Sequence, residues 1–225
     1  MRTYIKPLVT ILLLATAGTT FGAGSGPMPS MPRVENASPE EQARDAYNAG
    51  VRAVEKADTL TADAARQTDA RKQQKMLDKA HSSYSAAQKK FSRATDLNPR
   101  LAEAWNYLGY TNRKLGDYPA ALSAYDHALA LKPGFPEAIE YRGHAYLGLN
   151  RINDAKQAYL ALFGSHRELA ARLLAGMQEW IGSHRGNPAG VDAASLDAFA
   201  SWVNERSTIA GQTASLTREG ASARW

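Results

Sequence analysis

A repeat of 34 residues is the feature that most constrains the fold of this chain. Six columns of similar residues recur at that interval along the sequence. They are Ala87, Ala121 and Ala155; Phe91, Tyr125 and Tyr159; Ala94, Ala128 and Leu162; Gly109 and Gly143; Leu97 and Leu131; and Pro99 and Pro133. A period near 34 is typical of helix–turn–helix solenoids, in which each unit buries its apolar face against its neighbours. The sequence therefore predicts an all-α chain.

The residues from Trp105 to Tyr125 indicate how one repeat is built. Trp105, Leu108 and Gly109 fall on one face of a helix, and Ala121 and Tyr125 fall on one face of the next helix. Glycine inside a helix costs about 1 kcal/mol relative to alanine, so a neighbour must require the missing side chain. We expect Gly109 to face Ala121, so that the two backbones approach closely, with Tyr125 filling the space beside them.

Capping residues mark the ends of several helices. Gly116 is expected to end one helix in a left-handed conformation, and Asn150 takes the same role one repeat later. Asp117 is expected to cap the helix that follows Gly116. Ser38 and Glu41 have the spacing of a capping box, which predicts that ordered structure begins at residue 38.

The repeat columns resemble those of the tetratricopeptide repeat family. The family's residues stand at Trp105, Leu108, Gly109, Ala121, Tyr125, Ala128 and Pro133, and again at Gly143, Tyr146, Ala155 and Tyr159. The resemblance implies a short right-handed α-solenoid of helical hairpins, with repeats at 102–135 and 136–169. Asn112 and Arg142 depart from the family pattern, which expects an aromatic residue and a leucine there.

Residues 38–101 are interpreted as an extended and divergent first hairpin. Its first helix is predicted over residues 42–58, with Gly50 as the small residue. The excess length before Ala87 is assigned to residues 61–83, which are expected to extend the second helix outward as an arm.

Two capping helices are predicted after the repeats, over residues 170–215. Apolar residues recur there at helical spacing, as expected for helices that seal the open end of a repeat array. They are Leu173, Met177, Trp180, Leu196, Phe199 and Val203. Residues 216–225 are expected to form a frayed tail.

Residues 1–23 have the order of a secretory signal peptide. Arg2 and Lys6 precede an apolar run and then small residues. The run is short for a membrane span of about 20 residues, and an uncleaved anchor is the alternative. Residues 24–37 are rich in Gly, Pro, Ser and Met and are expected to be a disordered linker. These features predict a bacterial protein that is periplasmic or secreted.

Charge and composition exclude several classes of function. Removal of residues 1–23 would lower the net charge from +5 to 25 − 22 = +3, which is too little to indicate a nucleic-acid partner. The chain has no cysteine, which excludes disulfides, thiolate zinc sites and cysteine nucleophiles. The five histidines lack metal-ligand spacing, and no cofactor loop or nucleophile–base pair is recognisable. We therefore expect no metal, no cofactor and no enzymatic activity.

The family resemblance also implies where a partner would bind. In this family the first helices of successive repeats line a concave groove that holds a peptide or a partner's helix. The groove positions implied here are Asn106, Tyr110, Arg113, Glu140, Tyr141 and His144, with Tyr107 near the rim. Tyr110 and Tyr141 have a second interpretation, in which they pack between neighbouring hairpins. The family's clamp for chaperone carboxyl tails is not supported, because Glu103, Glu137 and Glu140 lie in or beside that region.

The expected function is that of an exported binding or scaffolding module with a protein or peptide partner. The alternative is an envelope-associated structural protein that contacts anionic lipid or wall polymer, weakly, through the basic arm of residues 66–93. Lys72, Lys75 and Lys79 fall on one face of that arm. Salt dependence separates the two, because adhesion between exposed charges weakens steeply as salt is added.

Overall fold

The computed structural model describes residues 37–186 and 190–222, with side chains through residue 213. The signal peptide predicted at 1–23, and the linker at 24–37 except for its last residue, lie outside this part of the chain. Eight helices make up the described residues. They are α1 (Pro39–Arg66), α2 (Ala70–Leu97), α3 (Ala102–Lys114), α4 (Tyr118–Leu131), α5 (Pro136–Gly148), α6 (Ile152–Phe163), α7 (Arg167–Gly186) and α8 (Ala193–Ser222).

The helices form an all-α solenoid, as the repeat predicted. Each helix packs against the next, so that α1/α2, α3/α4 and α5/α6 are three successive hairpins, followed by α7 and α8. The first helices of neighbouring hairpins also contact one another, α1 with α3, α3 with α5, and α5 with α7. These four helices therefore share one side of the array. No helix in the described residues combines the length and the apolar character that a membrane crossing requires.

The predicted caps are confirmed. The backbone N–H of Glu41 donates to the Ser38 hydroxyl at 3.2 Å, and the Glu41 carboxylate accepts from the backbone N–H of Ser38 at 2.8 Å. Asp117 accepts from the backbone of Ala120 and caps α4. Gly116 has a φ of 85° and Asn150 a φ of 58°, so both adopt the left-handed conformation that ends a helix.

The ring of Tyr125 takes the place of the side chain that Gly109 lacks. A Cβ atom at residue 109 would lie 2.5 Å from a ring carbon of Tyr125, whose side chain is fully buried. The expectation that Tyr125 fills the space beside Gly109 is confirmed. Gly50 and Phe91 repeat this arrangement in the first hairpin, with a distance of 2.7 Å.

The third hairpin departs from this arrangement. A Cβ atom on Gly143 would meet Leu173 of α7 at 2.6 Å and Ala158 of α6 at 3.2 Å. Tyr159, which occupies the column of Tyr125, instead makes an edge contact with Trp202 of α8 at 5.5 Å between ring centroids. The helices that follow the repeats thus complete the third hairpin.

The arm is built from both helices of the first hairpin, which corrects the prediction. Helix α1 continues beyond residue 58 to Arg66, and the turn lies at residues 67–69. Asp69 caps α2 by accepting hydrogen bonds from the backbone of Arg71 and Lys72. Small side chains allow the two antiparallel helices to pack closely along the arm, because Ala57, Ala64 and Ala80 are buried.

Two helices, α7 and α8, follow the repeats, and they extend beyond the residues 170–215 that were predicted for the capping helices. Both contribute to one apolar core with α6, which includes Leu173, Met177, Phe199 and Val203. Helix α8 continues to Ser222, beyond the expected end at residue 215, so residues 216–222 are helical and not frayed.

Candidate functional site

Four half-buried tyrosines cross the first helices of the three hairpins, and we call this row the tyrosine ladder. Tyr47 lies on α1, Tyr107 and Tyr110 lie on α3, and Tyr141 lies on α5. Successive ring centroids are 5.7, 6.4 and 5.1 Å apart. The ring of Tyr107 also stacks on Phe91 at 5.1 Å. The ladder therefore joins neighbouring hairpins and keeps part of each ring accessible.

Asp58 of α1 anchors the middle of the ladder. Its Oδ1 atom accepts hydrogen bonds from the hydroxyls of Tyr110, at 2.7 Å, and of Tyr84. Burial and then the Asp58 charge raise the pKa of Tyr110 well above its ordinary value of 10.0, so the hydroxyl stays a donor. Tyr110 therefore links α3 to α1 through Asp58, across neighbouring hairpins.

Two adjacent cations at the end of α3 lie against the tyrosine rings. The guanidinium carbon of Arg113 is 5.2 Å from the ring centre of Tyr110 and 5.7 Å from that of Tyr141. The Lys114 nitrogen is 5.5 Å from the centre of Tyr84 and 5.6 Å from that of Tyr110. Burial, followed by the neighbouring Arg113, lowers the pKa of Lys114. Within the described residues neither cation forms an ion pair, although the charge of Asp58 also acts on Lys114.

Glu140 and His144 are engaged by the capping helix α7. The Arg172 guanidinium donates to both carboxylate oxygens of Glu140, at 3.2 and 3.0 Å, and His144 Nε2 is 3.6 Å from Glu140 Oε1. The Glu140 side chain is 4% exposed and that of His144 is 22% exposed. Burial alone would raise the pKa of Glu140, but hydrogen bonds from His144 and Arg172 hold it below 4.5. His144 lies against Gly176 of α7, where a larger residue would collide with the imidazole.

Asn106 lies on α3 and is 3% exposed. Its Oδ1 atom is buried and accepts no hydrogen bond from the described residues. An acceptor left in this state is destabilising by about 1–3 kcal/mol, so it calls for an explanation. Of the positions predicted for the groove, the structure brings Tyr110, Arg113 and Tyr141 into contact, and it places Glu140 and His144 beneath α7.

Three carboxylates act electrostatically on Tyr107. After burial, the charges of Glu55, Asp58 and Glu137 raise the pKa of Tyr107. Glu55 is exposed and Glu137 is half-buried, and neither forms an ion pair with another described residue. Glu103 differs, since it pairs with Lys132 at 3.3 Å.

Several residues at this site were not identified from the sequence, among them Tyr47, Asp58 and Lys114. A register based on the glycine column would have found Tyr47, because it precedes Gly50 by the same three residues that separate Asn106 from Gly109. Asp58 and Lys114 have no such signal, since their contacts depend on where the long α1 crosses the end of α3. The described residues contain no group of three or more possible metal ligands.

Comparison with known protein families agrees with the repeat at residues 102–135. The tetratricopeptide repeat family model matches residues 102–135, which span α3 and α4. No curated protein matches the chain. Among solved structures, the chain is similar to the first tetratricopeptide-repeat domain of Spaghetti (RPAP3) bound to the HSP90 peptide SRMEEVD. The identity is 19%, the match covers 56% of this chain and 96% of that chain, and the TM-score is 0.40.

Proposed function

We propose that the chain is a non-catalytic protein-interaction module that holds a peptide or a partner's helix on the side of the array shared by α1, α3, α5 and α7. The observation that carries this proposal is the tyrosine ladder, in which Tyr47, Tyr107 and Tyr141 present partly exposed rings from three successive first helices. Aromatic side chains on rigid helices provide large contact areas at low entropic cost and dominate binding energy at interfaces. The tetratricopeptide repeat at residues 102–135 supports the same role.

Site-directed photocrosslinking tests the proposal. A benzophenone amino acid replaces Glu137, beside the ladder, in one variant and Leu160, which is 45% exposed on α6, in the matched control. We expect proteins from an extract of the source cells to crosslink to position 137 and not to position 160. Equal crosslinking at both positions, or crosslinking at 160 alone, would place the binding surface elsewhere.

We propose further that the module is exported into the envelope of a bacterial cell. The succession of cations, apolar residues and small residues over 1–23 supports this proposal. Amino-terminal sequencing of the protein from an envelope fraction is expected to begin between residues 18 and 26. Recovery of the protein from cytosol with Met1 intact would contradict export.

A second candidate function is adhesion of the arm to an anionic surface. Lys72, Lys75 and Lys79 are exposed on α2, and none of them forms an ion pair with a described residue. Sedimentation with vesicles that contain anionic lipid tests this function. Binding that disappears in the Lys72→Gln, Lys75→Gln, Lys79→Gln triple variant and at high salt would favour it, and binding that persists in both would contradict it.

A further inference from the structure

Aromatic side chains of α6 and α8 form a continuous row at the carboxyl-terminal end of the array. The ring centroid of Tyr159 lies 5.5 Å from that of Phe163 on α6 and 5.5 Å from that of Trp202 on α8. Phe163 and Trp202 are half-buried at the edge of the carboxyl-terminal core, so part of each ring is accessible. The tyrosine ladder belongs to α1, α3 and α5, and this row is therefore a separate surface.

Three cations lie against the accessible rings. The Lys156 nitrogen is 5.4 Å from the ring centre of Trp202, and the guanidinium carbon of Arg206 is 5.5 Å from the same centre. The guanidinium carbon of Arg167, the first residue of α7, is 5.4 Å from the ring centre of Phe163. Three helices thus bring positive charge to one row of rings.

Leu160 adds an exposed apolar side chain to the same surface. It follows Lys156 by four residues and precedes Phe163 by three, so the three side chains share one face of α6. Leu160 is 45% exposed and is one of three exposed large apolar residues in the described part of the chain. We call this surface the α6–α8 face and define it by Lys156, Leu160, Phe163, Arg167, Trp202 and Arg206.

The α6–α8 face has more cations than carboxylates. Other cations that lie over rings of α5, or over the residue that precedes it, are each ion-paired, in the pairs Lys132–Glu103, Arg142–Asp126 and Arg151–Asp154. Lys156 and Arg167 form no ion pair with a described residue. Arg206 pairs with its neighbour Glu205, whose side chain is 59% exposed. Even when Glu205 and the exposed Glu168 are both counted, the cations remain in excess.

An anionic lipid surface fits this combination of side chains. Tryptophan, phenylalanine and leucine are favoured at the boundary between lipid headgroups and acyl chains, and lysine and arginine are attracted to anionic headgroups. The arm differs in this respect, because residues 59–83 include cations but no Phe, Trp or Tyr. The arm therefore offers charge alone, whereas the α6–α8 face offers charge together with apolar contact.

We propose that the α6–α8 face binds a bilayer that contains anionic lipid. Lys156, Arg167 and Arg206 contact the lipid phosphates, and Leu160 and Trp202 lie among the headgroups. The proposal goes beyond the proposed function and does not depend on it, because the tyrosine ladder lies on other helices. A partner and a lipid surface can then be bound at the same time.

A polarity-sensitive dye tests the proposal at single positions, since the chain contains no cysteine and one introduced cysteine is labelled specifically. Leu160→Cys carries the dye on the α6–α8 face, and Leu77→Cys, at a position that is 39% exposed on the arm, is the matched control. The labelled full chain is mixed with vesicles of phosphatidylcholine, either alone or with an equal amount of phosphatidylglycerol. We expect a blue shift at position 160 with the phosphatidylglycerol vesicles only, and none at position 77.

The dye reports its own surroundings, so attraction of the apolar run in residues 1–23 to the vesicles does not by itself produce this result. No shift at either position would overturn the proposal. A shift at position 77 alone, or equal shifts at both positions, would also overturn it. An equal shift at position 160 with neutral vesicles would show that anionic lipid is not recognised.

Two triple variants with the same loss of charge separate the α6–α8 face from the arm. One is Lys156→Gln, Arg167→Gln, Arg206→Gln, and the other is Lys72→Gln, Lys75→Gln, Lys79→Gln. We expect the first to weaken binding to the phosphatidylglycerol vesicles roughly tenfold or more and the second to weaken it little. The reverse order would assign the binding to the arm, and equal weakening would indicate general attraction; either result would overturn the proposal.

Leu160→Glu tests the face without altering the cations or a buried residue. Its matched control is Leu131→Glu, which makes the same change of charge at a position that is 43% exposed at the end of α4. We expect the first variant to bind the vesicles several-fold more weakly and the second to bind as the wild type does. Equal affinities for the two variants would contradict the proposal.

An acidic protein is the competing occupant of the α6–α8 face. It would crosslink to a benzophenone at position 160, whereas the dye at that position would not respond to vesicles. This pair of results would overturn the assignment to lipid. The crosslinking at position 137 decides separately whether the groove holds a protein partner.

Discussion

The first two hairpins and the third differ in which side chain packs over the glycine of the first helix. Gly50 and Gly109 are covered by Phe91 and Tyr125, aromatic residues from the second helix of the same hairpin. Gly143 occupies the same sequence column as Gly109 but is covered by Leu173, which belongs to α7. The aromatic residue of the third hairpin, Tyr159, turns toward α8 instead.

The difference shows that a repeat in this chain is not always a self-contained unit. In the first two hairpins the side chain over the glycine comes from the same hairpin, so each hairpin covers its own glycine. The third hairpin completes its core only when α7 and α8 dock, because Leu173, Phe199 and Trp202 fill the space around it. The carboxyl-terminal part of the array should therefore fold as a single unit of four helices.

Leu173→Ala should produce the largest effect, because it empties the space over Gly143. The side chain is fully buried, and truncation of a buried leucine costs about 2–5 kcal/mol. Hydrogen exchange should show lost protection in α5 to α8 and retained protection in α1 to α4. Leu160→Ala, at a position that is 45% exposed, is the matched control and should change stability little. A uniform loss of protection along the whole chain would contradict the division into two parts.

Gly109→Ala should have the next largest effect, with a cost of roughly 1–3 kcal/mol. The new methyl group would lie 2.5 Å from the Tyr125 ring, which is fully buried and has no room to move. Gly143→Ala should cost less, since the methyl groups of Leu173 can shift and alanine favours the helix by about 1 kcal/mol. Gly134→Ala, where no heavy atom lies within 4 Å, is the control. Equal denaturant midpoints for the substitutions at 109 and 143 would mean that the two contacts are equally rigid.

The contribution of His144 to the pH dependence of stability should be the smallest of these effects. It should be confined to the carboxyl-terminal part, α5 to α8. Burial lowers the pKa of His144 below 6.5, and the charge of Arg113 lowers the pKa further. The hydrogen bond to Glu140 and the charge of Glu179 raise the pKa and partly oppose this shift. Because the folded state binds this proton less tightly, the free energy of unfolding should fall as the pH drops through 6.5 toward the folded pKa. The lowered pKa of Glu140 acts in a separate window, where stability is lost as the pH falls below 4.5.

Denaturant unfolding of wild type and His144→Gln at about pH 7.5 and about pH 5.5 measures the His144 contribution. The His144→Gln variant should lose part of the pH dependence of stability that the wild type shows. His81→Gln, which alters an exposed residue of α2, should retain it. If His144→Gln keeps the full dependence, the titrating group lies elsewhere in the chain.

The sequence was sufficient for features that depend on local chemistry. Gly116, Asn150 and Asp117 marked helix ends correctly because a left-handed φ and a backbone hydrogen bond depend on one or two residues. The all-α architecture followed from the repeat columns. The turn of the arm was missed because residues 59–69 contain no Gly or Pro, and Asp69 alone marks the start of α2.

The site was predicted less completely, because it depends on contacts between distant residues. Spacing placed Tyr110 and Tyr141 on adjacent helices, and their rings do lie 5.1 Å apart. The same spacing could not reveal that Arg172 engages Glu140, 32 residues away. Nor could it reveal that Asp58 reaches Tyr110 across 52 residues. Such partners are fixed by the relative shift of neighbouring helices, which no periodicity in one chain specifies.

The length of the arm has a consequence for how charges in this protein act at a distance. Tyr84 lies where α2 meets the end of α3, and Lys72 lies twelve residues earlier on the same helix, about 18 Å away at 1.5 Å per residue. That separation is roughly twice the Debye length of about 8 Å at physiological ionic strength. Lys72, near the tip of the arm, is therefore largely screened from the charges beside Tyr84. A surface that attracts the tip of the arm leaves the potential at that end of the tyrosine ladder essentially unchanged.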